Sequence, residues 1–120
     1  METKKGYSAK LRFSIIAPAK LRRIAVHLRK KPYSEALAIL DSLPQRGARI
    51  LKKLIRSAAA NAMYQNKKLD EEMLYIRELL VDDGPRMKKI WARARGRADI
   101  QLKRSSHVRV VLDELSNLRK

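Results

Sequence analysis

Apolar residues recur at every second position near the start of the chain. Ala9, Leu11, Phe13 and Ile15 alternate with Ser8, Lys10, Arg12 and Ser14. A period of two places the first set on one face of a β-strand and the second on the other, so this strand is expected to bury its apolar side and turn its basic side outward. The period then lengthens. Leu21, Ile24, Ala25 and Leu28 follow at helical spacing, with Lys20, Arg23, His27 and Lys30 along a different face. Pro18 suits the first turn of this helix, where its missing N–H leaves no bond unmade, and Pro32 is expected to stop it. Ser34-Glu35 offers an N-cap for a second helix, which carries Ala36, Leu37, Leu40 and Leu43 inward until Pro44 closes it. A longer helix runs from about Arg46 to Asn66. Its apolar stripe is Ala48, Leu51, Leu54, Ile55, Ala58 and Ala62, and its outer row is Arg49, Lys53 and Arg56. The stretch Ser57-Ala58-Ala59-Ala60-Asn61-Ala62 has little side-chain bulk and so favours close approach of a sheet or another helix.

Beyond a polar connector, Asn66-Lys67-Lys68-Leu69-Asp70, the segment Met73 to Val81 is rich in Leu, Ile, Tyr and Val and reads as a strand. A second β-leaning run, His107-Val108-Arg109-Val110-Val111-Leu112, closes a stretch of unusual charge. From Gly84 to Arg109, GPRMKKIWARARGRADIQLKRSSHVR, nine Lys or Arg stand against one acid, Asp99, a net of 9 − 1 = +8. A basic segment flanked by two strand-like runs predicts a long hairpin. Gly84-Pro85 punctuates its start, Asp82-Asp83 shape the turn before it, and Ala92-Arg93-Ala94-Arg95-Gly96-Arg97-Ala98 supplies small residues and a glycine where a turn needs positive φ. Arms of about ten residues, at roughly 3.3 Å each, would reach on the order of 30 Å. A two-stranded ribbon of that length is not stable alone in water, and a polyanion along its flanks would supply the missing contacts.

The expected architecture is α+β in a single domain: three helices on one face of an antiparallel sheet of about three strands, with a basic ribbon projecting from it. The body spans 7–82 and 107–113, the ribbon 83–106 and a tail 114–120. Met1 to Gly6 is expected to be a mobile polar lead-in, and Asp113 to Lys120 a frayed terminus.

Charge narrows the class of partner. In 120 residues, 29 Lys and Arg against 12 Asp and Glu leave a formal charge of +17, which raises self-repulsion until a polyanion relieves it. Nucleic acid comes first, since cations that neutralise phosphates release condensed counterions; an anionic membrane surface comes second. No apolar run approaches the roughly 18 residues of a spanning helix, and METKKGYSAK lacks the apolar core of a secretory signal, so the chain is expected to stay in the compartment where it is made. The absence of cysteine excludes disulfides and thiolate metal sites.

Catalysis has no candidate. His27 and His107 are far apart and form no helical pair, so both read as structural or phosphate-facing. Asp82 and Asp83 adjoin on one strand and would point to opposite faces rather than converge on a metal. No phosphate-cradling glycine loop or nucleophile motif occurs, so no enzyme activity and no cofactor are expected. Basic outer rows on helices are usually no more than solvated faces. In the ribbon, solvation alone would mix Lys with Glu, and it does not. Trp91, the single tryptophan, lies among Lys88, Lys89, Ile90 and Arg93, where base stacking or a wall-forming role competes with the core position usual for tryptophan.

The pattern Lys88, then Arg93-Ala94-Arg95-Gly96-Arg97, then His107 to Leu112 resembles the signature of the bacterial-type large-subunit ribosomal protein L twenty-two family. Ser57 to Ala62 is similar to the family's alanine-rich helix, and Val81-Asp82-Asp83-Gly84-Pro85 to the start of its hairpin. The resemblance covers about residues 8 to 113. It departs at Trp91-Ala92, where many members carry a proline after an apolar residue, and at Ala17, where the family often places a Ser cap. The resemblance implies a structural protein of the large ribosomal subunit, in which the globular part sits near the exit of the nascent-peptide tunnel and the hairpin threads inward to line the tunnel wall. Its implied partners are large-subunit ribosomal RNA, neighbouring ribosomal proteins and the nascent polypeptide at the tip. No membrane, small-molecule substrate or homo-oligomer is expected, and the location is a cytoplasmic or organellar ribosome.

By their clustering, Arg86, Lys88, Lys89, Arg93, Arg95, Arg97, Lys103 and Arg104 are expected to carry most RNA contact. Arg12, Lys20, Arg23, Arg49, Lys53 and Arg56 are expected to add lesser contacts from the body. Trp91, Ala92, Arg93, Ala94, Arg95 and Gly96 form the tip that would face the tunnel. Two alternatives stay open. An HU-like architectural DNA-binding protein also combines helices with basic β-arms, although such arms carry an apolar wedge, commonly proline, where this chain has Arg-Gly-Arg. A free regulatory RNA-binding protein is the other.

Overall fold

In the computed structural model, which describes residues 6–118, the sheet is built from strands far apart in sequence. Strand β1 (Tyr7–Ser14) and strand β2 (Leu74–Asp83) flank β5 (Ser106–Glu114), and both pair with it antiparallel in the order β1-β5-β2. Helix α1 (Pro18–Ala25) packs on β2, helix α3 (Arg46–Gln65) on β1 and β5, and helix α2 (Tyr33–Ser42) mainly on α3. A single C-terminal turn, α4 (Leu115–Leu118), follows β5. The fold is α+β, with one core between the helices and the inner face of the sheet. Leu21, Leu28, Leu51, Ile55, Ile76, Leu79, Val110 and Leu112 are fully buried there. The small residues Ala58, Ala59 and Ala62 are buried as well, which lets α3 lie close on the sheet, and Asn61 Nδ2 donates to the Ser8 carbonyl at 3.0 Å.

Strand β1 departs from simple alternation. Ala9 and Leu11 face inward, but Phe13 adopts a left-handed backbone (φ 58) and the register with β5 shifts between Leu11 and Ser14. One left-handed residue advances the strand by a half-period, so Ser14 and Ile16 are buried and Phe13 and Ile15 are exposed, against the expectation that Phe13 and Ile15 would join the core. Helix α1 is also shorter than expected. It ends at Ala25, and Lys30, again left-handed (φ 65), brings the connection alongside β2.

That connection, with α1, covers the β2 edge of the sheet. Lys30 N–H donates to the Ile76 carbonyl at 2.9 Å, and Ile76 N–H donates to the Lys31 carbonyl at 3.0 Å. Arg22 Nη2 donates to Val81 O at 2.9 Å and Arg29 Nε to Leu79 O at 3.1 Å. An edge strand with its carbonyls so occupied cannot recruit another strand. Helix α2 starts at Tyr33, not at a Ser34 cap, and no side chain caps it; Ala17 likewise gives α1 no side-chain cap.

The C-terminal end corrects the expected frayed terminus at Asp113. Strand β5 runs two residues past Leu112, and Asp113 is buried with Arg77 Nη1 3.4 Å from its Oδ2. Met73 falls outside β2 and is half exposed, whereas Asp82 and Asp83 lie within β2 and not in a turn, paired with His107 and Ser106.

Past those pairs the ladder breaks and a separate two-stranded sheet begins. Strand β3 (Met87–Ala92) pairs with β4 (Ala98–Lys103) over six residues each, shorter than the expected arms of about ten. A 3-10 turn at Ala94–Gly96 closes it, with Arg95 (φ 60) and Gly96 (φ 75) both left-handed. The molecule measures 66 × 35 × 24 Å.

Candidate nucleic-acid interface

Every residue of β3 and β4 is exposed. The register assigns the side chains to faces. Lys88, Ile90 and Ala92 share one face with Leu102, Ile100 and Ala98, while Met87, Lys89 and Trp91 share the other with Lys103, Gln101 and Asp99. A two-stranded ribbon has no core behind it, so Ile90 (80 % exposed) and Ile100 (66 %) meet solvent on one side, and Met87 and Trp91 do so on the other. Cations frame these apolar strips. Arg86 and Arg104 stand at the base, Lys88, Lys89 and Lys103 along the arms, and Arg93, Arg95 and Arg97 at the tip.

Hydrogen bonds close the ribbon at both ends. At the base, Gly84 N–H donates to Ser105 O at 2.9 Å, and the Ser105 hydroxyl donates to Pro85 O at 2.7 Å. At the tip, Arg93 N–H donates to Arg97 O at 2.7 Å, and Arg93 Nε pairs with Asp99 Oδ2 at 2.7 Å. Asp99, the one acid of the ribbon, therefore neutralises one tip arginine and leaves Arg95 and Arg97 as the outward cations.

On the body, the expected cations gather around the N-terminal half of α3. Arg49, Lys53 and Arg56 line one shallow depression with Lys52, which itself pairs with Asp41. Lys20 and Arg23 line a cleft with Arg46, and Arg12 and Lys53 line a third hollow with Arg46 and Lys10. Lys53 and Arg46 each border two of these hollows, so the body cations form one continuous tract. Four cations on this side of the body lie outside the set expected to touch RNA: Lys10, Arg46, Lys52 and Arg109. Lys10 sits directly opposite Arg109 across the β1–β5 ladder, and like charges in that relation weaken a sheet unless an anion lies over them. The pairing of β1 with β5 is what reveals this, and no spacing in the chain encodes it.

Of the two histidines, His27 is exposed, while His107 Nδ1 accepts the Phe13 N–H at 3.0 Å. No group of three or more His, Cys, Asp or Glu that could hold a metal occurs among the described residues. Among the described residues, no helix is long and apolar enough to cross a membrane.

The sequence matches the family described as ribosomal protein L22p/L17e over residues 9–113. The chain belongs to that family. Among its relatives, the large ribosomal subunit protein uL22 of Treponema denticola is 50 % identical over 114 residues, covering 95 % of this chain and 97 % of its own. The uL22 of Treponema pallidum is 47 % identical over 108 residues, covering 90 % of this chain and 87 % of its own. That of Borreliella afzelii is 46 % identical over 119 residues and covers 99 % of both chains. The L22p/L17e match includes the whole of β3, the tip and β4, and ends at Asp113, the carboxylate that faces Arg77. It also begins at Ala9, two residues into β1.

Proposed function

We infer that this chain is a structural constituent of the large ribosomal subunit that holds ribosomal RNA along its ribbon and along the α3 tract. The observation that carries this is the fully exposed β3–β4 ribbon, with apolar strips on both faces inside a frame of cations. Such a surface is unfavourable in water, since its apolar side chains stay wet and its like charges repel. Folded RNA relieves both, because it offers phosphates to Arg and Lys together with base and sugar surface for the apolar strips. Duplex DNA offers phosphates but keeps its bases stacked, and the tip lacks the wedge that arm-type DNA-bending proteins insert.

Arg86, Lys88, Lys89, Arg95, Arg97, Lys103 and Arg104 are assigned most of the RNA contact, and Arg93 joins them by exchanging Asp99 for phosphate. Arg12, Lys20, Arg23, Arg49, Lys53 and Arg56 contribute from the body. The tip from Trp91 to Gly96 is assigned to the wall of the nascent-peptide tunnel, where the exposed indole would meet the growing chain. Neighbouring ribosomal proteins are the remaining partners, and structural work of this kind needs no catalytic group.

Incorporation into large subunits tests the assignment. The triple substitution Arg93→Ala, Arg95→Ala, Arg97→Ala is expected to lower the fraction of chain that co-sediments with large subunits, while the isolated protein keeps its thermal midpoint. Unchanged incorporation would refute the ranking of these residues. Crosslinks placed at Trp91 are expected to reach nascent peptide in translating ribosomes; crosslinks to RNA alone would remove the tip from the tunnel wall.

A further inference from the structure

We propose that Phe13 is a stacking platform for one unpaired RNA base, with Arg12, Lys53 and Arg46 beside it taking the adjoining phosphates. This rests on the RNA-binding reading above and adds a specific subsite to it, on the body and away from the ribbon.

Phe13 is placed by means that packing does not explain. Its backbone is left-handed at φ 58, a conformation disfavoured for a bulky residue, and the outcome is a large aromatic side chain turned out of the core and 62 % exposed. Strain of this kind persists only where the surroundings over-determine it. Here His107 does so twice. Its Nδ1 accepts the Phe13 N–H at 3.0 Å, and its ring meets the Phe13 ring edge-on with centroids 4.9 Å apart at 88°. The perpendicular contact braces the phenyl ring, and at 62 % exposure the ring still offers a face to a flat ligand.

The ring borders a hollow of about 470 Å³ between β1 and α3. Phe13, Ile15 and Ile50 give that hollow apolar surface, and Lys10, Arg12, Arg46 and Lys53 give it charge, with no carboxylate among its lining residues. Ile15 is exposed by the same half-period advance that turns out Phe13, so a single left-handed residue supplies both apolar groups. Aromatic surface ringed by cations is the arrangement that binds single-stranded nucleic acid: the base stacks and the flanking phosphates are neutralised. A duplex could use the cations but not the ring, because its bases are already stacked. The ligand class is therefore a looped-out or single-stranded nucleotide of the RNA.

The test uses the full-length chain and fluorescence anisotropy at moderate salt. The probes are an unstructured RNA of about twelve nucleotides and the same sequence as a duplex. Phe13→Gly removes the ring at a backbone conformation that glycine adopts without strain, so its thermal midpoint is expected to stay level or rise. Its affinity for the single strand is expected to fall about tenfold, the scale of one lost base stack, with duplex affinity and salt slope unchanged. Phe13→Tyr is expected to restore single-strand binding. Equal loss on both probes, or no loss, overturns the platform while RNA binding by the chain stands. A lowered thermal midpoint with unaltered single-strand affinity makes Phe13 a structural residue and also overturns it. A loss seen equally against polyglutamate assigns the hollow to an acidic protein partner instead. Failure of the unaltered chain to bind either RNA removes the broader reading together with this one.

Discussion

Gly84 and Gly96 occupy the two ends of the ribbon for different physical reasons. At Gly96 the backbone is left-handed (φ +75) and an added Cβ would meet nothing within 4 Å, so glycine is there for conformation alone. At Gly84 an added Cβ would run into the Ser105 hydroxyl and lie 3.1 Å from the Ser105 carbonyl carbon, so glycine is there for close approach. The first role is legible in Arg-Gly-Arg between two strands. The second depends on a partner from the returning arm and becomes visible only once the arms are paired. Buried phenols act at the same scale. Burial raises the pKa of Tyr33 above its usual 10.0, assisted by the nearby Glu71 carboxylate and opposed by Arg56; burial also raises that of Tyr75, assisted by Asp113 and opposed by Arg77. The folded chain then retains phenol protons that the unfolded chain has released. The resulting stability is intact below about pH 10 and is lost as pH rises beyond it. Tyr33→Phe is expected to flatten that alkaline loss, as measured by urea unfolding across pH 9 to pH 12, roughly the range that brackets the phenol.

Among the elements, α3 was the most legible, because twenty residues give a helical stripe several turns in which to repeat; Ala48, Leu51, Leu54, Ile55, Ala58 and Ala62 are all buried. Strand β1 was the least, since one left-handed residue reverses its phase and periodicity assumes that no such residue intervenes. Between them lies the ribbon, whose existence followed from charge and turn residues but whose length did not. Strands β2 and β5 remain in the main sheet as far as Asp83 and Ser106, which leaves only Met87 to Lys103 for the ribbon itself. The main contacts of β3 and β4 are with each other. Replacing residues 87–103 by a tight Asn-Gly turn is therefore expected to leave the thermal midpoint of the body within a few degrees of the original. RNA affinity should fall sharply, and the salt slope should become shallower by several contacts. Hydrogen exchange should report the same division in the intact free protein, with fast exchange in β3 and β4 and slow exchange in β5, the central strand. A body that unfolds without its ribbon would contradict this independence.

Over the whole molecule, charge and shape work against each other until a partner is present. A formal charge of +17 on a body with a projecting ribbon keeps the free chain soluble but destabilises its compact state. Added salt screens that repulsion and also competes for phosphates, so its two effects have opposite sign. Between about 50 and about 200 mM salt the thermal midpoint of the free chain is expected to rise, while RNA affinity falls with a log–log slope of about −6 to −7 for roughly eight phosphate contacts. A flat affinity across that range would mean that the ribbon cations do not meet phosphates. By itself, the sequence determined that there would be a basic ribbon, three helices and a small sheet, and that the partner is a polyanion, because periodicity, turn chemistry and net charge are local or additive properties. Only the tertiary structure decided which cations share a hollow, that Lys10 lies over Arg109, that Asp113 is buried beside Arg77, and that Phe13 turns outward against His107. Each of these joins residues distant along the chain, and strand register, which no local pattern encodes, sets their meeting.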